Sequence, residues 1–238
     1  MANSFFQFKH FLIRQDQCAM KVCTDSCVFG AYVPVAKAQR ILDIGAGTGL
    51  LSLMVAQRAP HAKIKAVEID AAAARQAQEN VAQSPWPGRI EVLGTSLQEF
   101  AATQPAPFDT IICNPPFFQA SLKSPNAARN TAKHTGQLSF GEILAFADRF
   151  LSAEGQLHIL LPPHEANVFR QEAALHGFYP HDILWLEASP GGKLLRAIHA
   201  YARAKTEPTE HTLAVKEQDH KTYTQPFQEL LKPYYLHL

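Results

Sequence analysis

No apolar run in this chain approaches the roughly 20 residues that a bilayer span demands, so a membrane-spanning helix is excluded as an organising element. The first residues, Met1-Ala2-Asn3-Ser4-Phe5-Phe6, lack the long apolar segment and small-residue cleavage site of a secretory leader, and a cytoplasmic location is expected. Cysteine is scarce, with only Cys18, Cys23, Cys27 and Cys113. None of them forms a CxxC pair, which argues against a zinc site or a disulfide framework. Buried or half-buried free thiols are expected instead, and no metal. Charge of either sign is not in excess: the formal net charge is +1, which neither announces nor excludes a nucleic-acid partner. Internal repeats and low-complexity tracts are also missing.

What remains is an ordinary globular composition: 238 residues, 47% hydrophobic and 18% charged. Short strand-like runs alternate with longer helical stretches, the pattern of βαβ units. Strands are expected at Arg40–Ile44, Lys63–Glu68, Arg89–Leu93, Asp109–Cys113, Gln156–Leu161, Asp182–Glu187 and Leu195–Arg203. Helices are expected near Leu50–Arg58, Ala71–Val81, Phe140–Leu151 and Ala166–Leu175. Leu50, Leu51, Leu53, Met54 and Val55 give the first helix an apolar face, and Pro60 stops it. Pro85-Trp86-Pro87-Gly88 reads as a turn. The fold class is therefore α/β: a doubly wound, seven-stranded, mostly parallel sheet whose last strand, Leu195–Arg203, runs antiparallel. One domain spans 1–238, with residues 1–39 as an aromatic-rich extension packed on a 40–238 core. The tail Tyr223–Leu238, with a helical pattern at Phe227–Leu231, is expected to dock on the sheet's edge.

The turn Gly45-Ala46-Gly47-Thr48-Gly49 follows one strand and opens one helix. Glycines there let backbone approach a ligand closely, with free N–H groups facing it. Its spacing, GxGxG, differs from the GxGxxG of dinucleotide sites. Glu68 stands at the tip of the second strand, where a carboxylate accepts hydrogen bonds from both hydroxyls of a ribose. Asp70 caps the helix that begins at Ala71. Asn114-Pro115-Pro116-Phe117 follows the strand Asp109–Cys113, at the carboxyl edge where open α/β sheets bind ligands. Prolines stiffen that corner and present carbonyls. The Asn114 side-chain oxygen and the Pro115 carbonyl are expected to accept the two N–H bonds of an amino group, with Phe117 stacked on the flat ring that carries it. Two fixed acceptors draw such a nitrogen toward a tetrahedral shape and free its lone pair for attack.

Together, the glycine turn and NPPF resemble the class I, Rossmann-like methyltransferases that use S-adenosylmethionine, within the group that methylates amino nitrogens. Phe8-Lys9-His10-Phe11, the block from Cys18 to Asp25, Gln83-Ser84-Pro85-Trp86 and Tyr234-Tyr235-Leu236 are similar to the bacterial valine-tRNA adenine-N6 methyltransferases, over nearly the full chain. That family modifies the adenine beside the anticodon. The resemblance implies that Asp43, Gly45, Gly47, Glu68 and Asn114 contact the cofactor, that Thr24 and Asp25 lie close to it, and that Asn114, Pro115 and Phe117 hold the amine. Cys23 stands where the family usually has glycine, and Phe117 where it has tyrosine. A tRNA partner needs basic surface. Lys123, Arg129, Lys133 and His134 lie in a long, weakly patterned segment near the catalytic edge, and Lys9, Arg14, Lys21, Lys193 and Arg196 are candidates for phosphate contacts. The same amine grip also suits a protein glutamine or a guanine of ribosomal RNA, and a non-catalytic module that binds the cofactor or RNA stays open.

Overall fold

A computed structural model of the chain describes residues 3–115 and 138–238. Phe117, Lys123, Arg129, Lys133 and His134 lie outside the described residues. In chain order the elements are β1 (Phe5–Gln7), β2 (Leu12–Arg14), α1 (Thr24–Tyr32), β3 (Arg40–Ile44), α2 (Leu50–Arg58), β4 (Lys63–Glu68), α3 (Ala71–Ala82), β5 (Ile90–Gly94), α4 (Leu97–Ala102) and β6 (Phe108–Cys113). After the undescribed segment come α5 (Phe140–Phe150), β7 (Leu151–Leu161), α6 (Pro163–Leu175), β8 (Tyr179–Glu187), β9 (Leu194–Ala202), β10 (Thr209–Ala214) and α7 (Gln225–Leu231).

The main sheet has the order β10-β8-β9-β7-β6-β3-β4-β5. β9 runs antiparallel to both β7 and β8, and every other neighbouring pair is parallel. All seven expected strands and all four expected helices are present; Arg40–Ile44, Lys63–Glu68 and Leu50–Arg58 keep their expected ends and the others are shifted. The sheet, however, has an eighth strand: β10 pairs in parallel with β8, so the antiparallel strand lies inside the sheet and is not the last. β10 escapes pattern reading because four of its six residues are exposed, as suits an edge strand with solvent on most sides.

Alternate residues along each strand feed two separate cores. Ile41, Ile64, Ala66, Ile112, Leu160 and Ile198 meet α1, α2, α3, α7 and the β1–β2 hairpin. Leu42, Ile44, Val67, Ile111, Cys113, Ile159 and Leu161 meet α4, α5 and α6. A period of two that buries both faces is the mark of a doubly wound sheet. Side-chain caps set several helix starts: Asp70 accepts from Ala72 and Ala73, while Ser96 with Glu99 and Ser139 with Glu142 form reciprocal capping boxes.

The extension and the tail pack on the α1–α2 face. Phe8 is fully buried and bridges to Tyr235. Asn80 on α3 grips Arg14 through its backbone N–H and C=O and also donates to the Thr48 carbonyl, so the hairpin is tied directly to the glycine turn. The tail covers more than the sheet's edge: Tyr234 donates to the Met54 carbonyl at 3.0 Å and accepts from Arg58 at 2.8 Å.

Candidate active site

The chain runs β3, β4, β5 to one side and then returns to place β6 on the other flank of β3. The crevice outside the carboxyl ends of β3 and β6 is thus the point where strand order reverses, the place where such sheets hold ligands. Ile44 and Cys113 are register partners, so Gly45 and Asn114 leave the sheet side by side.

Gly45 and Gly47 adopt φ of +71° and +55°, a conformation that costs other residues about 1–2 kcal/mol. A methyl group placed on either would meet no atom of the described residues within 4 Å, which leaves room for a ligand above both. Four of the five N–H groups of the turn are already engaged, contrary to the reading from sequence. Gly45 and Ala46 both donate to the Val67 carbonyl, Gly49 donates to Ala46, and Gly47 donates to Glu68 Oε2 at 2.8 Å. In the first turn of α2, Asp43 Oδ2 accepts both the backbone N–H and the hydroxyl of Ser52, at 3.1 and 2.7 Å. A phosphate would need these donors.

Glu68 is buried at the tip of β4, with Oε2 on Gly47 and Oε1 accepting the Asp70 N–H at 2.8 Å. Each oxygen keeps a second lone pair for a hydroxyl. Ile69, next in the chain, leaves 62% of its surface exposed, an apolar face beside the acid that sequence reading passed over. Asp43 is fully buried, and its Oδ1 has no partner among the described residues. Burial pushes its carboxyl up to about 7 against the lowering effect of Ser52, with Glu68 adding to the rise. An orphaned buried carboxylate oxygen in this crevice fits a cationic ligand, which would offset the cost of burying the charge.

Asn114 is 8% exposed at the end of β6. Its Nδ2 donates to Ser26 Oγ at 2.9 Å, while its Oδ1 is buried without a partner among the described residues. Pro115 follows it and is buried. Ser26 was not recognised from sequence: it sits in the first turn of α1, a helix that is buried over six of nine residues and so has no amphipathic period to betray it. Thr24 is exposed at the first position of that helix, and Asp25 is ion-paired with Arg196 of β9 at 2.8 Å. Arg196 therefore serves the start of α1, whatever else it meets. Lys193 is exposed in the hairpin between β8 and β9, on the ligand edge. Arg14 and Lys21 are exposed, and Lys9 donates to the Lys232 carbonyl at 2.6 Å. Cys23 is exposed, not buried or half-buried as expected; Cys18, Cys27 and Cys113 are buried, and all four are free. No group of three or more metal-ligating side chains occurs among the described residues, and no helix there is long and apolar enough to cross a membrane.

An open glycine turn, a buried acid at the neighbouring strand's tip and an asparagine–proline corner across the switch point define a class I methyltransferase. The chain matches the model of the methyltransferase small domain over residues 18–170. A curated relative from Dyadobacter fermentans, named tRNA1(Val) (adenine(37)-N6)-methyltransferase, is 48% identical over 237 residues, covering 98% of each chain. The protein of the same name from Bacteroides thetaiotaomicron is 42% identical over the whole of both chains. Among solved structures, a predicted O-methyltransferase from Agrobacterium tumefaciens shares the fold with a TM-score of 0.64, at 22% identity over 88% of this chain and 96% of that one. A ribosomal protein L11 methylase from Lactobacillus delbrueckii does so with a TM-score of 0.58, at 17% identity over 81% and 84%. The chain belongs to the family of the tRNA1(Val) (adenine(37)-N6)-methyltransferases, and its methyl donor is S-adenosylmethionine.

Proposed function

We propose that this enzyme methylates the exocyclic N6 of adenine 37, beside the anticodon, in a valine tRNA. The name carried by relatives of near-equal length supports that substrate. The observation that carries the chemistry is the Asn114 amide, held by its nitrogen with its oxygen left over as a buried acceptor.

S-adenosylmethionine, when bound, supplies a methyl group on a positively charged sulfur, which keeps both electrons of its old bond as the new N–C bond forms. Glu68 would hold the ribose hydroxyls, the open backbone at Gly45 and Gly47 would let the donor lie close, and Asp43 would face its positive charge. Asn114 Oδ1 and the Pro115 carbonyl would accept the two N–H bonds of N6 and steer its lone pair along the line of attack. Positioning and a fixed electrostatic field do the work, with no base in the transition state. The extra proton leaves the methylated nitrogen to solvent. Phe117 completes the grip by stacking on the adenine ring, and Lys123, Arg129, Lys133, His134, Lys193 and Arg196 form the basic surface for the RNA. Work on tRNA places the enzyme in the cytoplasm.

Transfer of a tritiated methyl group to separate tRNA, ribosomal RNA and protein fractions tests this, followed by nuclease mapping of the labelled RNA. Label confined to N6 of adenine 37 in valine tRNA is expected. Label in ribosomal RNA or in protein glutamine would overturn the reading.

A further inference from the structure

We propose that Gln76 and Asn80, two buried carboxamides one helical turn apart on α3, are positioning residues for the cofactor: they clasp Arg14, Asp16 and Gln17 and fix that stretch to the glycine turn, so that residues 18–23 are held as a wall of the crevice. The inference rests on the placement of S-adenosylmethionine over Gly45 and Gly47 given above.

Gln76 is 1% and Asn80 2% exposed, and their i, i+4 spacing puts both on one face of α3. Burying two amides costs stability unless their polar atoms are met, and all of them are met. Asn80 Oδ1 accepts the Arg14 N–H at 2.9 Å, and its Nδ2 donates to the carbonyls of Arg14 and Thr48, both at 2.9 Å. Gln76 Oε1 accepts the Gln17 N–H at 3.1 Å, and its Nε2 donates to Asp16 Oδ1 at 2.8 Å. A backbone N–H only donates and a backbone carbonyl only accepts, so these partners fix which end of each amide faces which way. Beyond Gln17 the chain has no ladder to lie in: among the described residues no backbone–backbone hydrogen bond holds residues 16–22. A third buried amide closes the loop, since Gln15 Oε1 accepts the Val22 N–H at 2.8 Å and its Nε2 donates to the Asn3 carbonyl at 3.0 Å. The ends of this loop are set at the crevice. On one side Asn80 reaches the glycine turn at Thr48; on the other, Thr24 opens α1, whose Ser26 meets Asn114 at 2.9 Å. Residues 18–23 therefore lead from the flank of α3 to the corner after β6. Side-chain amides, not the loop's own backbone, decide where that wall stands.

Calorimetric titration with S-adenosylmethionine tests the clasp without RNA. Asp16→Ala, at an exposed position, removes an acceptor from Gln76 and is expected to weaken binding about fivefold. Gln76→Glu keeps the acceptor for Gln17 but sets a second carboxylate against Asp16, and a loss of about tenfold is expected. Adding Asp16→Asn to Gln76→Glu restores a donor, and affinity is expected to return to within about threefold of wild type. In hydrogen exchange followed by mass spectrometry, the peptide spanning residues 15–23 is expected to be slowed by the cofactor in wild type, and to exchange faster in cofactor-free Asp16→Ala than in cofactor-free wild type. With tRNA, the loss is expected in KM for the cofactor, with kcat within about twofold. Folded Asp16→Ala and Gln76→Glu that bind the cofactor as wild type does overturn the proposal, whatever their urea midpoints. So does a Gln76→Glu loss that Asp16→Asn fails to repair, or loop exchange that the cofactor leaves unchanged. Should Gln76→Glu not fold, Asp16→Ala and the exchange rates decide. Gly47→Ala is the control: if it too binds normally, the placement of the cofactor falls, and if it alone loses affinity, only the clasp falls.

Discussion

Glu68 accepts the backbone N–H of Gly47 at 2.8 Å, which makes the acid at the tip of β4 and the turn after β3 a single rigid unit. Its other oxygen holds the Asp70 N–H, at the entrance to α3. The carboxylate is thus oriented before any ligand arrives, and its remaining lone pairs point where the two backbone bonds leave them.

Replacing Glu68 by alanine should therefore do two things at once. Loss of acceptors for two backbone N–H groups is expected to destabilise the fold by about 1–3 kcal/mol. Affinity for S-adenosylmethionine is expected to fall at least about tenfold, since a bidentate acceptor is removed. Calorimetric titration with the cofactor, beside a urea unfolding curve, would check both; unchanged affinity would take Glu68 out of the site.

Asn114→Ala separates binding from chemistry. In the proposed grip the side chain serves the amine and not the glycine turn, so cofactor affinity is expected to stay within a few-fold, while turnover drops by about a hundredfold or more, the range for loss of one preorganised polar group. Near-normal single-turnover rates would refute its role as the acceptor.

Gly47→Ala tests the open crevice. The alanine would sit at φ +55°, for a stability loss of about 1–2 kcal/mol, and its methyl would enter space that no atom of the described residues fills. Cofactor affinity is expected to fall by tenfold or more, beyond what the strain alone explains. An alanine variant that binds the cofactor as wild type does would mean the ligand lies elsewhere.

Asp43 makes stability depend on pH in an unusual direction for a carboxylate. Its folded pKa is about 7 against 3.8 ordinarily, so between those values the native chain holds a proton that the unfolded chain has released. Stability contributed by this residue is full below the lower value and is lost as pH rises toward 7, by up to about 1.4 kcal/mol per pH unit; above 7 it is constant. In the ligand-free protein, Asp43→Asn should gain on wild type as pH is raised from about 5 to about 8. Urea unfolding across that range decides the matter, and a constant difference would mean that Asp43 is ionised throughout.

Binding of tRNA should weaken steeply with salt, and Lys193→Ala is expected to reduce the slope of log affinity against log salt by about one without changing preference among tRNA sequences. Filter binding at several salt concentrations measures it. A flat response in wild type would remove phosphate contacts from the account.

Much of this could be read from residue order because its signals are local. The strands around Ile44, Val67 and Ile111 are short apolar runs closed by a glycine, an acidic residue and an asparagine–proline pair in turn, and Asp70 announces its helix by standing just before it. The Gly45–Gly49 turn and Asn114-Pro115 were legible for the same reason. What stayed hidden depends on three-dimensional neighbours. α1 is buried on nearly all sides, so Thr24–Tyr32 carries no periodic stripe, and Ser26 gave no sign of meeting a residue 88 positions away. β10 is mostly exposed, and its partner β8 supplies the reason it is a strand at all. The N–H groups of the glycine turn looked free because nothing in the sequence shows Val67 and Glu68 beneath them.

Tyr234 seals the last turn of α2 from 180 residues downstream, where its hydroxyl takes the Met54 carbonyl and Arg58 ties it to the carbonyls of Gly30 and Val33. A ribosome exposes β3 and its turn long before it reaches this tyrosine. The packing of α2, the helix that the glycine turn opens, is therefore completed only once Tyr234 has been made.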